Sequence, residues 1–315
     1  MKNLNICYPT NKNVINLNRD HTVFFIDLIN ELKKKYNVRV YGESENAHCD
    51  GYVYELESDS SVRLKVFDCE MVIEDVDNHN FYILSAHDQI SSTILDQQNN
   101  PNLKKVLYSQ FIPKEIIHHT GKNYFKYHPW IYFKQSGEDI EDFFIKRNVI
   151  KEKKEKLYFK GTDIDRPILK YFDKDILVDY NKVHTNTYFD DLINYDVAFA
   201  VGGAANGDIC YRDVEYLQLG IPFIKFEYIT MLETPLIPNY HYISIDLPED
   251  LPIHNGVQKD RLGNEKHSKM VEEKFKEVIK NKDFLKSISL NGRKYYEDNL
   301  SKDKRIQKTI NLLNL

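Results

Sequence analysis

The chain opens on a short apolar run, Leu4 to Tyr8, followed by a polar stretch from Pro9 to Asp20 and then by a different rhythm. Phe24, Phe25, Leu28, Ile29 and Leu32 recur at three- and four-residue intervals, while Asp27, Asn30, Glu31 and Lys33 to Lys35 fall mostly on the other side. That period predicts an amphipathic helix from about Thr22 to Lys35, laid against something apolar. Val38-Arg39-Val40-Tyr41 resumes as a strand, so the opening is a βαβ unit, with a right-handed crossover and a parallel sheet. Further strands are predicted at Tyr52 to Leu56, Cys69 to Ile73, Phe81 to Leu84 and Val106 to Phe111. Phe133 to Lys156 reads as a helix with a linker, closed by the charge run Lys151 to Lys156. The first domain is therefore placed at residues 1–150.

The second half alternates more regularly. Strands are predicted at Leu157 to Lys160, Ile176 to Val178, Val197 to Val201, Ile221 to Phe226 and Tyr242 to Ile245. Between them come helices from Pro167, at Tyr188 to Ile193 and at Tyr211 to Leu219, with Gly220 where a helix stops in a left-handed residue. Such alternation predicts a parallel sheet wrapped by helices. Helical runs follow at Ser268 to Lys280, Ile288 to Tyr296 and Lys302 to Leu313. The second domain is placed at 151–300, with residues 301–315 as a last helix returning to the first.

At 315 residues the chain is long enough for two domains, each with its own core. Apolar residues at 42% and charged residues at 29% are globular proportions, and a net charge of −5 supplies no general basic field for nucleic acid. Cys7, Cys49, Cys69 and Cys210 form no CxxC pair and read as buried thiols of a reducing compartment. The N-terminus has no signal-like apolar run, and nowhere do ~18 apolar residues follow one another. The expectation is a cytoplasmic protein without a membrane segment.

The segment from Asp196 to Pro222 is the most informative: strand, glycine-rich loop with Gly202, Gly203 and Gly207, helix, strand. Glycines at a strand-to-helix junction let the backbone approach a ligand, and the helix N-terminus favours an anion such as a diphosphate. Arg212 stands in or near the first turn, with Glu215 one turn on along the same face. Arg212 is placed to meet phosphate oxygens and Glu215 to accept from ribose hydroxyls. The same residues also fit a plain turn before an amphipathic helix with a surface Arg–Glu pair.

Tyr158-Phe159-Lys160-Gly161-Thr162 with Arg166, then Tyr188 to Leu192, the glycine loop, Leu219-Gly220-Ile221-Pro222 and Pro238 to Ile243 resemble, in order and spacing, the C-terminal half of glycosyltransferase family 90, the protein O-glucosyltransferase and capsule-associated transferase group. The resemblance runs from about Tyr158 to Tyr296. It implies a GT-B architecture, in which two Rossmann-like α/β domains with parallel sheets face each other across a cleft. The C-terminal domain would bind a nucleoside-diphosphate sugar, a UDP-sugar by preference, and the N-terminal domain a hydroxyl acceptor: glycan, protein, small molecule or modified DNA base. It implies donor binding by Lys160, Gly161, Thr162, Arg166, Gly202, Gly203 and Arg212, without a metal or other cofactor. Lys160 stands where the family has Arg and Cys210 where it has Ser, so a hydroxyl contact to the phosphates is lost.

An inverting transfer needs one side chain to take the acceptor proton while the diphosphate leaves on the opposite side. Strand ends of the N-terminal domain offer Asp20 with His21, and Asp88 beside His87, with Asp88 preferred. Asp20 and Asp88 fit helix caps equally well. A Glu-x7-Glu pair of the retaining type is missing, because Phe223 lies eight positions beyond Glu215.

Two acidic triplets, Asp75-Val-Asp77 and Asp163-Ile-Asp165, allow a metal-dependent GT-A-like transferase, Asp75 and Asp77 being the favoured pair, though acids of turns and caps take this form too. His118, His119 and His128 lack ligand partners at metal spacing and read as loop residues. The aromatic run from Tyr124 to Phe133 reads as core. Gly-x-Ser-x-Gly and P-loop motifs are missing. A dinucleotide-binding, oxidoreductase-like module and a non-catalytic nucleotide-sugar-binding protein stay open as alternatives.

Overall fold

The computed structural model describes residues 1–11, 20–44, 51–67, 70–85, 92–97, 99–108, 124–126, 140–161, 166–178, 188–201, 209–228, 234–248 and 264–315. The chain divides into two compact units, Met1–Tyr132 together with Lys302–Leu315, and Phe133–Ser301. Both mix α-helices with β-sheets that contain parallel strands.

In the first unit, strand β1 (Asn3–Asn11), helix α1 (Asp20–Lys33) and strand β2 (Asn37–Ser44) make the expected parallel βαβ, with Leu4 opposite Val38 and Ile6 opposite Val40. Strands β3 (Tyr52–Glu55) and β4 (Arg63–Val66) form a separate antiparallel ribbon. Strands β5 (Glu70–Asp75) and β6 (Asn80–Ser85), helix α2 (Ser92–Gln97), and strands β7 (Leu103–Tyr108) and β8 (Tyr124–Lys126) complete a six-stranded sheet of order β2-β1-β5-β6-β7-β8.

This sheet is mixed where a parallel one was expected, because β5 runs antiparallel to both β1 and β6. The cause is local. Only the 3-10 turn Val76–Asn78 and His79, in the left-handed conformation at φ 52°, separate β5 from β6. So short a link can only reverse the chain, since a parallel crossover needs about a dozen residues or more.

Alternation along β5 sorts two cores. Met71 and Ile73 join Leu4, Ile6 and the α1 residues Phe24, Phe25, Leu28 and Leu32, together with Ile306, Ile310 and Leu313 of the C-terminal helix. Val72 joins Cys7, Phe81 and Ile83 under Tyr54, Leu64 and Val66 of the ribbon and Ile94 of α2. Glu74 is buried, and its carboxylate accepts from the Tyr54 hydroxyl (2.5 Å) and from the Ser58 (2.7 Å) and Glu57 (3.2 Å) backbone N–H groups. Burial alone would raise its pKa, but these donors outweigh it and hold the carboxyl below the usual range.

The second unit contains helix α3 (Ile140–Val149), strand β9 (Lys154–Tyr158), the 3-10 helix Pro167–Tyr171, helix α4 (Tyr188–Leu192), strand β10 (Tyr195–Phe199), helix α5 (Tyr211–Gln218), strands β11 (Phe223–Phe226) and β12 (Ile243–Ile245), and helices α6 (Glu265–Val278) and α7 (Lys282–Tyr295). A π-helical turn (Tyr296–Leu300) precedes helix α8 (Lys302–Leu313), which belongs to the first unit. The four strands are all parallel, in the order β12-β11-β10-β9. Leu157, Val197, Phe199, Ile224 and Ile243 face one core with Val271, Phe275, Leu285 and Ile288 of α6 and α7. The run Ile176 to Val178, expected as a strand, supplies only an isolated parallel bridge between Leu177 and Leu157. Helix α5 stops at Gly220, whose φ of 59° is the left-handed value anticipated there. No helix among the described residues is long and apolar enough to cross a membrane.

Candidate anion-binding site

Three chain segments meet at the carboxyl end of β9 and β10, the end at which open parallel sheets receive ligands. Beyond β9 come Phe159, Lys160 and Gly161; beyond β10, Ala200 and Val201 lead toward the glycine loop. Arg166, the residue before Pro167, donates from Nε to the Val201 carbonyl at 3.2 Å. Arg212, in the first turn of α5, donates from a terminal nitrogen to the Lys160 carbonyl at 2.5 Å.

Both guanidiniums lie over one aromatic ring, Arg212 at 4.7 Å and Arg166 at 5.8 Å from the Phe159 centroid. The ring faces attract cations, so a fully buried phenylalanine gathers two positive charges beside the strand ends. Gly161 leaves the room for this: a Cβ there would stand 2.6 Å from the nearer Arg212 nitrogen and 3.2 Å from the Phe159 ring.

Arg212 has unused capacity. Its Nε is buried and has no hydrogen-bond partner among the described residues. Burial alone would lower its pKa, but the surrounding Tyr188 and Tyr216 hydroxyls and the Glu215 carboxylate raise it instead, so the group stays charged. A permanently charged fork with an unmatched, desolvated N–H is suited to a phosphate or carboxylate oxygen.

Cys210 is the N-cap of α5, and a capping box links it to Asp213. The Cys210 N–H donates to Asp213 Oδ2 at 2.8 Å and its thiol to Oδ1 at 3.4 Å. Burial, and then the neighbouring Asp213 charge, push the thiol pKa up to about 11. Lys225 of β11 closes an ion pair with Asp213 Oδ2 at 2.9 Å, the two side chains being 1% and 0% exposed. Sequence reasoning passed over both Asp213 and Lys225. The available signal was a lone lysine inside the apolar strand Phe223-Ile224-Lys225-Phe226, since a buried charge requires a partner.

Glu215 is buried, and its carboxylate accepts from the Tyr188 hydroxyl at 2.8 Å. Being buried, it does not form the exposed Arg–Glu pair that its spacing from Arg212 also allowed. Tyr188, at the first turn of α4, is itself packed 6.1 Å from the Tyr158 ring centroid.

Of the donor-binding residues expected from sequence, Lys160, Gly161, Arg166 and Arg212 converge here, and Glu215 lies behind them with Tyr188. Thr162, Gly202 and Gly203 lie outside the described residues, as do Asp88, His87, Asp163, Asp165, His118, His119 and His128. Asp20 and His21 form the first turn of α1. Asp75 and Asp77 are engaged structurally. Asp77 accepts from the Asn3 backbone N–H (2.9 Å) and side-chain amide (3.0 Å), while Asp75, 1% exposed, pairs with Lys2 at 2.7 Å and Asn78 at 2.9 Å. Leu4 is paired with Asp75, so both acids sit at the amino end of β1, opposite the ligand-receiving edge of that strand. Among the described residues, no three His, Cys, Asp or Glu side chains are grouped as a metal would require.

No family model matches this sequence, and no curated protein does. Among solved structures, a glycosyltransferase from Rickettsia africae ESF-5 overlays on 72% of this chain and 67% of its own, with a TM-score of 0.41 and 11% sequence identity.

Proposed function

We propose that this chain is a glycosyltransferase that moves a sugar from a nucleoside-diphosphate sugar, a UDP-sugar by preference, to a hydroxyl acceptor. The observation that carries the reading is the convergence of Arg166 and Arg212 on Phe159 at the carboxyl end of a parallel sheet, with a buried, unmatched Nε on Arg212. The sugar and the choice of nucleotide come from the resemblance of the second half to family 90 transferases.

In this reading Arg212 and Arg166, with Lys160, take up the charge that develops on the departing diphosphate, so no metal or other cofactor is required for that task. The acceptor oxygen attacks the anomeric carbon, the bond from that carbon to the diphosphate oxygen breaks with inversion, and the acceptor proton passes to a carboxylate or imidazole of the first unit. Asp88, Asp20 and His21 are the candidates for that base. The two units then work in the GT-B manner, the second holding the donor and the first the acceptor.

Thermal unfolding against UDP-, GDP-, dTDP- and CMP-sugars, each with and without EDTA, tests this. A ligand that binds only the folded state raises stability by RT ln(1 + [L]/Kd), about 2.7 kcal/mol at a hundredfold excess over Kd. Equal stabilisation by one nucleotide sugar with and without EDTA is expected. Stabilisation lost in EDTA contradicts the metal-free mechanism, and a response to NAD alone contradicts the transferase.

A further inference from the structure

A carboxylate in the first turn of α5 is at odds with anion binding there. Asp213 occupies the Cys210 N–H, one of the donors that a helix N-terminus would otherwise present, and adds a negative charge one residue beyond Arg212. A diphosphate approaching that terminus would be repelled unless the charge were cancelled. Lys225 cancels it from below, through a 2.9 Å ion pair closed to solvent on both sides. Burying two charges costs several kcal/mol of desolvation each, and a well-packed apolar pair would serve stability at least as well. Stability alone therefore gives little reason to keep a lysine in the middle of β11.

We infer that Lys225 is a positioning residue for anion binding: it neutralises Asp213, so that the α5 cap is kept while the positive field of Arg212 and the helix terminus stays available to the donor diphosphate. This rests on the proposed function, since it presumes that a nucleoside diphosphate is the ligand. Lys225 is buried and touches the ligand only through the field it balances. Its ammonium also lies over the Tyr228 ring, 4.8 Å from the centroid.

The inference predicts opposite effects from two single substitutions. Lys225→Met leaves the Asp213 charge uncompensated and weakens UDP binding by about tenfold or more, the effect of a unit charge at close range in a partly screened site. Asp213→Asn keeps an oxygen for the cap, removes the negative charge beside Arg212 and tightens UDP binding severalfold. Combining the two restores affinity to near the wild-type value. A pair that serves only structure would lower affinity, if at all, in both single variants alike.

Dissociation constants for UDP are measured by calorimetry on the full chain, with circular dichroism to establish the folded fraction. Shifts of opposite sign, with recovery in the double variant, are the expected result. Unchanged affinity in both folded variants, or weakening in both, overturns the role of Lys225. If Lys225→Met does not fold, Asp213→Asn decides, because tighter binding supports the inference and unchanged or weaker binding overturns it. Failure of the wild-type protein to bind UDP, GDP or dTDP is a separate outcome that overturns the nucleotide reading itself and the inference with it.

Discussion

Arg212 rests its guanidinium 4.7 Å from the centroid of Phe159 and donates to the carbonyl of Lys160, the next residue along. A helix and the strand edge beside it are thereby joined by a side chain that keeps one N–H unspent. If the ring gathers the two arginines, Phe159→Leu should weaken nucleotide binding severalfold, since a cation over an aromatic face contributes about 0.5–2 kcal/mol. Calorimetric titration of the variant with UDP is the check.

Gly161→Ala should act through Arg212. The added methyl would stand 2.6 Å from the Arg212 terminal nitrogen, and the long side chain can yield more readily than the backbone. Thermal stability should change by less than about 1 kcal/mol, while UDP affinity falls about tenfold, the loss expected when one charge-assisted contact is misplaced. A large loss of stability with normal affinity would place the glycine's role in folding.

Much of this arrangement was legible in the sequence. Helical spacing located α1, and strand-helix alternation located β9, β10, α5 and β11, because each element has one clear apolar face or run. Lys160, Gly161 and Arg166 were singled out by the resemblance of the second half to family 90, and Arg212 by its place at the start of the helix that follows the glycine loop. Strand direction was harder. β5 is buried on both faces, and such burial says nothing of strand direction, so only the shortness of the Val76–Asn78 link marks the reversal. Strand β4 escaped notice because Arg63-Leu64-Lys65-Val66 alternates too briefly to stand out. The Glu215–Tyr188 and Asp213–Lys225 contacts span 27 and 12 positions, and pairings of that range depend on how the sheet folds up.

Glu74 should be the source of an acid-sensitive contribution to the first unit. Its folded-state pKa is depressed by the Tyr54, Ser58 and Glu57 donors, so its stabilising effect is fully present above the ordinary glutamate value of about 4.3 and is lost as pH falls through the depressed folded value. Glu74→Gln should cost about 1–3 kcal/mol at pH 7, because the amide cannot accept from all of these donors, and its N–H₂ meets the Ser58 or Glu57 backbone N–H, neither of which can accept. Denaturant titrations at pH 7 and in acid should show the gap between wild type and variant narrowing as the pH drops. A gap that is constant with pH would contradict the assignment.

The C-terminal helix α8 should be integral to the first unit. Leu313 is fully buried beside Ile306 and Ile310 in the α1 core, Lys302 pairs with Asp27 at 2.7 Å, and the Tyr36 hydroxyl donates to the Leu315 carbonyl. Leu313→Ala should destabilise the unit by about 2–5 kcal/mol through lost burial and the cavity left behind. Hydrogen exchange of the α1 and β1 amides should accelerate, with the amides of α6 and β11 in the second unit unaffected.

The most direct measurement is calorimetric titration of UDP into the wild-type protein and into Arg212→Ala, both in EDTA. Binding by the wild type that weakens about 10- to 100-fold in the variant, the worth of a charge-assisted hydrogen bond to a phosphate, is the predicted result. Equal affinity in the two proteins would contradict the assignment of Arg212, Arg166 and Phe159 as the site that receives the donor diphosphate.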